Sequence, residues 1–569
     1  MINKYKLLRN AFRCLSSAEN HIEQRKQTIM VHLSYAMMSP CCCLRRITSC
    51  ITWMLFIITA IKFVEGSHFR GGIFMWKPTA NENEVIITFR LAWRRSYSAA
   101  TWCNKTTVAE GNVIANFGSI SCSDCSSGGT ISNVGIVCTD FSVQEDWIQG
   151  ERSFNYTFQN KIAQIGFSGG GWISLLSGGG RWDMRTTVDL NRRRDTGQIN
   201  SSPVSAMPPI IRLQHGCDHN ITIPVYDKQN DTVRCRWAES SKGECGGVCN
   251  SFPNAFLDEK RCTISYIANN QTGWFAVAIQ IEDFSPLNST HPLSSVSLQF
   301  LVNVFASTVS CQDKPKFILP TRLDGACVGI PASSTWTEQL ITRSGTDGVN
   351  IKEITTVSPP GLMTTEIQKY ESSNRESYVN TTWTPLPSQT GEHAFCFTAS
   401  DSDSLVSEKT CIRLLVGVEP PQILSYTPVG DILPTQKYFY VHFNMQFVKP
   451  SQRAFVYFYK KNHDLVSKLD VSQSDQAIYP LYAASSQNWV LKIAKNFELE
   501  EKEYYYIRLD PGVAKGVIGC GAESAALWDP NDWTFRVSNF STTDEAPRLT
   551  VGITLSLSVI ISTGILTLG

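Results

Sequence analysis

The chain has 569 residues, 42% of them hydrophobic, with 19 cysteines and a net charge of +1. Residues 1–66 carry nine basic and three acidic side chains, so residues 67–569 have a net charge of −5. This weak acidity argues against nucleic acid as a partner, because phosphate binding needs clustered cations. The short basic runs at 93–96 and 191–195 are accordingly predicted to be solvent-exposed.

The apolar run Ile51–Ile61 follows two arginines and precedes small residues, a layout typical of a secretory signal peptide. Gly66 fits the last position before a cleavage site, so the exported chain is predicted to begin at Ser67. The basic segment is unusually long, and a translation start at Met37 or Met38 would give an ordinary leader. The alternative is an uncleaved signal anchor, for which this apolar run is short.

After the leader, short runs of alternating apolar and polar residues dominate, and they are rich in β-branched and aromatic residues. Gly, Pro, Asn and Ser bound these runs, as they bound the strands of sandwiches. The predicted fold is therefore mainly β, with tandem disulfide-bonded sandwiches of Ig or cadherin type and hydrophobic segments at both termini. The clearest predicted strands lie at 84–93, 275–284, 296–305, 437–445, 454–461 and 503–510.

Proline-rich junctions at 199–211, 307–317 and 416–424 divide the chain, and such junctions favour a stiff, extended row of domains. The predicted units are a leader at 1–66, a Gly-rich β domain at 67–205, a Cys-rich sandwich at 206–306, a sandwich at 307–417, an Ig-like sandwich at 418–540 and a tail at 541–569.

The tail ends in the apolar run Leu549–Gly569, after which no charged residue follows. A glycolipid (GPI) signal has small residues at the attachment site, a polar spacer and an apolar tail, and this order is met if Ser541 takes the lipid. The alternatives are a transmembrane helix without a cytoplasmic tail, which lacks the usual basic stop-transfer residues, and an internal apolar strand.

Fourteen cysteines follow the leader, an even number typical of a disulfide framework in an exported chain. They fall into groups of four, five and four, followed by Cys520 alone. The group of five and Cys520 are odd in number, which leaves open an inter-domain bridge or two free thiols. The Cys122/Cys125 and Cys245/Cys249 pairs have zinc-like spacing, but no second matching pair lies nearby, so disulfides are predicted there.

Nine N-glycosylation sequons support export and spread carbohydrate over most of the chain. The stretch Trp383–Val537 contains none, which makes it a candidate for a surface that must remain bare. The predicted sites are Asn104, Asn155, Asn200, Asn220, Asn230, Asn270, Asn288, Asn380 and Asn539.

Acidic side chains near predicted strand ends form the one candidate metal-binding site in the sequence. Hard oxygen ligands gathered there could bind Ca²⁺ between domains. The simpler interpretation, which we favour, is that these residues make turns through hydrogen bonds to the backbone. The weak calcium candidates are Asp227, Asp231, Asp283, Asp401 and Asp403, and no other cofactor is expected.

The run Gly166–Gly170 matches the nucleophile elbow of serine hydrolases, with Ser168 as the nucleophile. The elbow works as a strand-to-helix turn in a parallel sheet, and the surrounding sequence predicts strands and glycine turns instead. An enzyme built on Ser168 is therefore the competing hypothesis, and the leading one has no catalytic residue.

Two segments resemble known proteins. The runs "SHFRGG" at 67–72, "VYDKQNDTVRCRWA" at 225–238 and "CTISYIANNQTGWFAVAIQIEDF" at 262–284 resemble uncharacterised secreted or surface proteins of marine invertebrates, over about residues 67–416. The runs "PPQILSYTPVGDI" and "YYYIRLDPGVAKGVIGCG" look like bacterial-type Ig-like modules, which serve as spacers and adhesive stalks. The set as a whole is similar in class to coral skeletal organic matrix proteins.

These features predict a non-enzymatic adhesion, scaffold or matrix protein, held at the outer face of the plasma membrane or shed from it. Its expected partners are extracellular proteins or matrix, with the membrane contacted through the C-terminal anchor. No small-molecule substrate is evident. The alternatives are a shed component of a mineralised organic matrix and the hydrolase using Ser168.

Overall fold

The computed structural model describes residues 68–123, 125, 129–269, 271–287, 290–371, 373–480, 489–538 and 552–553. The mainly β prediction is confirmed, since strands make up about half of these residues, helices very few, and the six clearest predicted strands are all present. The leader, Ser541 and nearly all of the apolar tail lie outside the described residues. Within the described ranges, no helix is both long and apolar enough to cross a membrane.

The first part of the chain forms most of the strands of a large sheet and, among the described residues, a short α-helix. Its elements are β1 Phe69–Pro78, β2 Glu84–Arg94, α1 Lys105–Glu110, β3 Val113–Ile114, β4 Ser119–Cys122, β5 Gly129–Asn133, β6 Ile136–Ser142, β7 Trp147–Thr157, β8 Ile162–Gly170 and β9 Arg181–Asp189.

The next part adds further strands to the same sheet and forms two smaller sheets, one of two strands and one of three. Its elements are β10 Val204–Ser205, β11 Ile210–Gln214, β12 Asp218–Thr222, β13 Val225–Tyr226, β14 Thr232–Trp237, β15 Phe256–Asp258, β16 Thr263–Ile267, β17 Gly273–Phe284 and β18 Ser294–Phe305.

One continuous sheet therefore crosses the predicted boundary at 205/206. Its order is β3-β6-β7-β2-β1-β18-β9-β8-β4-β5, and β18 also pairs with β17 and β11. Strand β1 serves two cores, because Phe74 and Trp76 face one cluster while Ile73 and Met75 face the other. Strands buried on both faces read as nearly continuous apolar runs, which explains the sequence of β17. The two predicted units consequently share a sheet instead of meeting at a linker.

A third body follows as a two-sheet sandwich closed over Trp383, Phe395 and Phe397. The sheet orders are β19-β21-β25-β23 and β20-β27-β26-β22. Its strands are β19 Lys316–Phe317, β20 Cys327–Ile330, β21 Trp336–Arg343, β22 Ile351–Val357, β23 Met363–Thr364, β24 Gln368–Lys369, β25 Glu376–Trp383, β26 Gly391–Asp401 and β27 Thr410–Val416.

The last body is a second sandwich, with Phe439, Phe458 and Trp533 in its core. Its sheets run β33-β34-β30-β28-β37 and β29-β36-β35-β31-β32. Its strands are β28 Ile423–Thr427, β29 Gly430–Ile432, β30 Tyr438–Phe443, β31 Phe455–Lys460, β32 Leu465–Asp470, β33 Ala477–Ile478, β34 Trp489–Ala494, β35 Tyr504–Leu509, β36 Thr534–Val537 and β37 Gly552–Ile553.

Seven disulfides join the fourteen cysteines, which confirms the disulfide framework. Both zinc-like pairs are bonded to themselves, so their sulfurs are not free to bind metal. The bridges are Cys103–Cys138, Cys122–Cys125, Cys217–Cys311, Cys235–Cys262, Cys245–Cys249, Cys327–Cys520 and Cys396–Cys411. The bridges of Cys217 and Cys520 each cross a predicted domain boundary. The structure therefore has inter-domain bridges, and Cys520 is not a free thiol.

Candidate functional site

A buried network of charges lies where the loop after β9 meets the ends of β13, β14 and β17. Arg193 is at its centre, and its guanidinium donates to both carboxylate oxygens of Asp231, at 2.6 Å for the Nη2–Oδ1 bond. The same guanidinium donates to Asp195 at 2.7 and 2.9 Å. These hydrogen bonds raise the pKa of Arg193, with Asp195 contributing most, and lower the pKa of Asp195. Arg193 is therefore charged under all ordinary conditions.

Asp283, at the end of β17, is fully buried in this network. Its two oxygens accept hydrogen bonds from the Ser294 hydroxyl and the Asn200 amide, both at 2.6 Å. Asn200 in turn accepts from Arg193 at 3.1 Å. Burial nevertheless dominates and raises the pKa of Asp283 to about 7.

Asp227 follows β13 and holds the turn that leads into β14. Its Oδ1 accepts hydrogen bonds from the backbone N–H groups of Gln229 and Asp231, at 2.9 and 2.8 Å. Its Oδ2 is buried and lacks a hydrogen-bond partner among the described residues. Burial raises the pKa of Asp227 to about 6.

Three of the five calcium candidates thus come together, since ligand oxygens of Asp227, Asp231 and Asp283 lie within 4.8 Å of one another. Chemically, such a cluster can take up a proton or a hard cation, because buried carboxylates need a positive partner. Arg193 supplies one such partner to Asp231. The basic run 191–195 is typical of an exposed surface, so the local sequence does not point to Arg193 as a partner of Asp231. The prediction of solvent exposure is wrong for Arg193, which is buried.

The other two calcium candidates lie apart from this cluster, at the end of β26. Asp401 is buried and its Oδ1 accepts from the N–H groups of Asp403 and Leu405, at 3.0 and 2.9 Å. Asp403 is exposed. This pair makes a turn through backbone hydrogen bonds, the simpler interpretation of these acidic residues.

Ser168 lies within strand β8, where its backbone partner is Asp183 of the antiparallel neighbour β9. A nucleophile elbow needs a strand that turns into a helix. The strand instead continues to Gly170, so the elbow interpretation does not fit this backbone.

The predicted glycosylation sites differ in accessibility. Asn200 is buried with its amide nitrogen bonded to Asp283, so this fold has no room for a glycan there, and the sequon prediction needs correction at this position. Exposed sites are Asn155, Asn220 and Asn230, and half-buried ones are Asn104 and Asn380. The sites at Asn270, Asn288 and Asn539 lie outside the described residues.

A second pair of carboxylates, buried Asp140 and half-buried Glu353, joins the large sheet to the third body. Glu353 of β22 accepts from the Ser142 hydroxyl at 2.6 Å and from the N–H groups of Val143 and Gln144 at 3.0 and 3.1 Å. In the opposite direction, Asp140 of β6 accepts a hydrogen bond from the Thr356 hydroxyl of the third body at 3.0 Å. Burial raises the pKa of Asp140 to about 6. Each body therefore sends one carboxylate into the other.

The third and fourth bodies meet at a buried arginine and a disulfide. Arg322 lies 3.1 Å from Glu338 and 3.3 Å from Glu523, and all three side chains are nearly inaccessible. The Cys327–Cys520 bridge crosses the same junction, and Glu523 donates its N–H to the Cys327 carbonyl at 2.8 Å. Loss of Arg322 would leave two nearly inaccessible carboxylates without their cation, which is costly in a protein interior.

Comparison with known proteins finds a family model that matches the first part of the chain. Residues 70–191 match the family model described as integrin beta-like protein A-E, N-terminal. Integrin beta-like protein C of Dictyostelium discoideum is 23% identical over 397 residues, which are 64% of this chain and 20% of that protein. Integrin beta-like protein A is 28% identical over 249 residues, 41% of this chain and 12% of that protein.

The chain therefore spans a fifth or less of the length of these relatives. Among solved structures, a titin I-band fragment (I67–I69) matches 60% of this chain and 99% of its own, at 10% identity and a TM-score of 0.14. Bacteroides ovatus SGBP-B matches 60% and 71%, at 12% identity and 0.16. The similarity found is to Dictyostelium proteins, and the resemblance to marine-invertebrate and coral proteins stays a prediction.

The family match covers β1 to β9 and stops two residues before Arg193. It includes Asp140 and Ser142 but not Asp227, Asp231 or Asp283. The charge network thus lies at the edge of the matched segment and depends on strands supplied by the following residues.

Proposed function

We propose that the chain is a non-enzymatic extracellular adhesion or scaffold protein. The observation that carries this proposal is that consecutive β bodies are joined by disulfides and by the buried carboxylates of Asp140 and Glu523, not by loose linkers. A protein that transmits force or holds a partner at a distance needs such stiff junctions. The names of its relatives, integrin beta-like proteins, support the same role.

The test is an adhesion assay under shear. Beads carrying the purified chain, or albumin as a baseline, are placed on cells that display the chain and on extracellular matrix, and attached beads are counted as flow increases. We expect the chain to hold beads above the albumin baseline on at least one of the two surfaces. Equal detachment of chain and albumin beads from both surfaces would contradict the proposal.

Two disulfide variants relate adhesion to the junctions. Cys327→Ser/Cys520→Ser opens a junction, whereas Cys245→Ser/Cys249→Ser opens a local loop in the second unit. We expect the junction variant to lose attachment at a lower flow than the loop variant. Equal attachment of the two would show that the junction bridge is not needed for adhesion.

We further propose that a GPI anchor on Ser541 holds the protein at the cell surface, from which one cut would shed it. A mineralised matrix is one destination for the shed form. Phosphatidylinositol-specific phospholipase C should release the protein from intact cells, and a Ser541→Leu variant should not reach the surface in releasable form. If the lipase releases a known GPI-anchored control protein completely from the same cells yet leaves this protein in place, that result would favour the tail-less transmembrane helix.

For the charge network we propose Ca²⁺ as a ligand of Asp227, Asp231 and Asp283, in competition with protonation of the same carboxylates. The buried, unpartnered Oδ2 of Asp227 supports this proposal. The opposing feature is Arg193, which already neutralises Asp231.

A further inference from the structure

One sheet of the fourth body carries a row of cations on its outer face. In β31 and β35, Val456, Phe458 and Ile507 point into the core. By the alternation of side chains along a strand, their neighbours Tyr457, Tyr459, Tyr506 and Arg508 lie on the opposite face. Strand pairing places Lys468 and Arg508 on either side of Tyr457, and Arg536 opposite Tyr504.

Each cation on this face is held over aromatic rings. The Lys468 ammonium lies 3.8 Å from the centre of the Phe455 ring and 5.2 Å from that of Tyr457. The Arg508 guanidinium lies 5.0 Å from Trp528 and 5.5 Å from Tyr506.

At the other end of the face, Arg536 and Lys461 both lie 5.2 Å from the centre of the Tyr504 ring. Cation–π contacts orient a charge without neutralising it. All four cations therefore keep their full charge at defined positions.

These cations have no carboxylate within ion-pair distance in the part of the chain that the structure describes. Among the described residues, no ion pair involves Lys461, Lys468, Arg508 or Arg536. The two acids nearest one end are already engaged: Asp470 pairs with Arg453 at 2.7 Å, and Asp510 is buried beneath Tyr457. Lys461, Lys468 and Arg536 are exposed, so the outer face presents positive charge to solvent.

We propose that this face, defined by Lys461, Lys468, Arg508 and Arg536, binds an acidic polysaccharide that carries sulfate or carboxylate groups. The proposal rests on the adhesion function and names its partner class. It also gives a role to Trp383–Val537, the long stretch without sequons, because a face that binds polyanions must not carry its own glycans.

The chemistry favours a polyanionic chain over the other partner classes. Neutral sugars stack on free ring faces, but here the rings are occupied by cations. A protein partner needs desolvated apolar anchors in a pocket, whereas the exposed groups of this face are chiefly the ammonium groups of Lys461 and Lys468 and the Arg536 guanidinium. Tyr457 and Tyr506 are buried beneath them. Lys468 and Arg508 lie two strand spacings apart, about 10 Å, so the charges suit an extended ligand.

The experiment measures binding of the full purified chain to immobilised heparin, polygalacturonate, dextran and polyglutamate. We expect binding to heparin or polygalacturonate at low salt, none to dextran, and release as rising salt screens the charges. Heparin alone would assign sulfate, and polygalacturonate alone would assign carboxylate. Binding to neither polysaccharide, or to polyglutamate only, would overturn the proposal.

The matched variants are Lys468→Gln/Arg536→Gln on this face and Lys437→Gln/Lys492→Gln on the other sheet, where both lysines lie near the Tyr438 ring. The first variant should bind about tenfold more weakly, since several exposed contacts each contribute modestly. The second should bind as the unmodified chain does, and equal losses in both would overturn the proposal. If the first variant loses heparin binding but still adheres, the face binds polyanions and adhesion uses another surface. If the unmodified chain binds no polysaccharide but still adheres, the partner proposal fails and the adhesion function stands.

Discussion

Asp140 and Thr356 are 216 positions apart, yet the Asp140 Oδ2 accepts hydrogen bonds from both the backbone N–H and the hydroxyl of Thr356, the latter at 3.0 Å. The contact joins β6 of the large sheet to β22 of the third body. Asp140 is buried, and burial raises its pKa from 3.8 to about 6. The junction therefore contains a carboxyl group whose protonation is linked to folding.

Mild acid is expected to stabilise this junction. The folded-state pKa of Asp140 is above the unfolded value, so the folded state binds the proton more tightly. The stabilisation from Asp140 is full below about pH 4 and is lost as pH rises through about 6, a difference of about 3 kcal/mol. Asp140→Asn should abolish this part of the pH dependence of unfolding between pH 4 and 7.

The control for this measurement is Asp475→Asn, which removes an exposed carboxylate. Its unfolding free energy should follow the unmodified chain across the same pH range. A pH profile for Asp140→Asn that also matches the unmodified chain would show that Asp140 is not the titrating group.

Disulfides that close long loops should matter most for stability. Cys327–Cys520 closes a separation of 193 residues and Cys245–Cys249 one of 4. The chain-entropy model gives about 5 and about 2 kcal/mol for these loops. Thermal unfolding of the two double-serine variants should therefore show a larger drop for Cys327→Ser/Cys520→Ser, and a reversed order would contradict the entropic explanation.

Calcium binding to the charge network would raise thermal stability. A free Ca²⁺ concentration a hundredfold above Kd adds about 2.7 kcal/mol to the free energy of unfolding. The shift should be present in the unmodified chain and in Asp403→Asn, an exposed control, and absent in Asp227→Asn. Identical melting in calcium and in chelator would end the calcium hypothesis.

Asn200 is expected to be unglycosylated and structurally needed. Asn200→Ala removes the donor to Asp283 and the acceptor for Arg193, which should destabilise the fold by about 1–3 kcal/mol. Asn155→Ala at an exposed site should change stability by less than about 0.5 kcal/mol. Glycopeptide mass spectrometry that found Asn200 occupied in the folded protein would contradict the structure.

The fold class could be predicted from local patterns, because strand periodicity and turn residues act over a few positions. The runs that became β2, β17 and β35 show this directly. The even cysteine count predicted disulfides, but two of them cross domain boundaries that proline-rich segments suggested. Proline restricts a chain locally and carries no information about which strands pair later.

The candidate site was only partly visible in the sequence. Asp227 and Asp283 were candidates because they sit at predicted strand ends, but Arg193 belongs to a basic run whose local pattern indicates surface. Its burial depends on Asp231, which lies 38 positions away. Long-range pairing of this kind leaves no periodic signal near either residue.

By itself, the sequence determined a β architecture and a paired set of cysteines, since composition and short-range spacing encode these properties. Export of the chain stays a prediction. The tertiary structure alone decided that two predicted units share one sheet, that Asn200 is buried, and that Asp140 meets Thr356. These outcomes depend on how distant strands pack, and packing is selected by the whole core and not by any one segment.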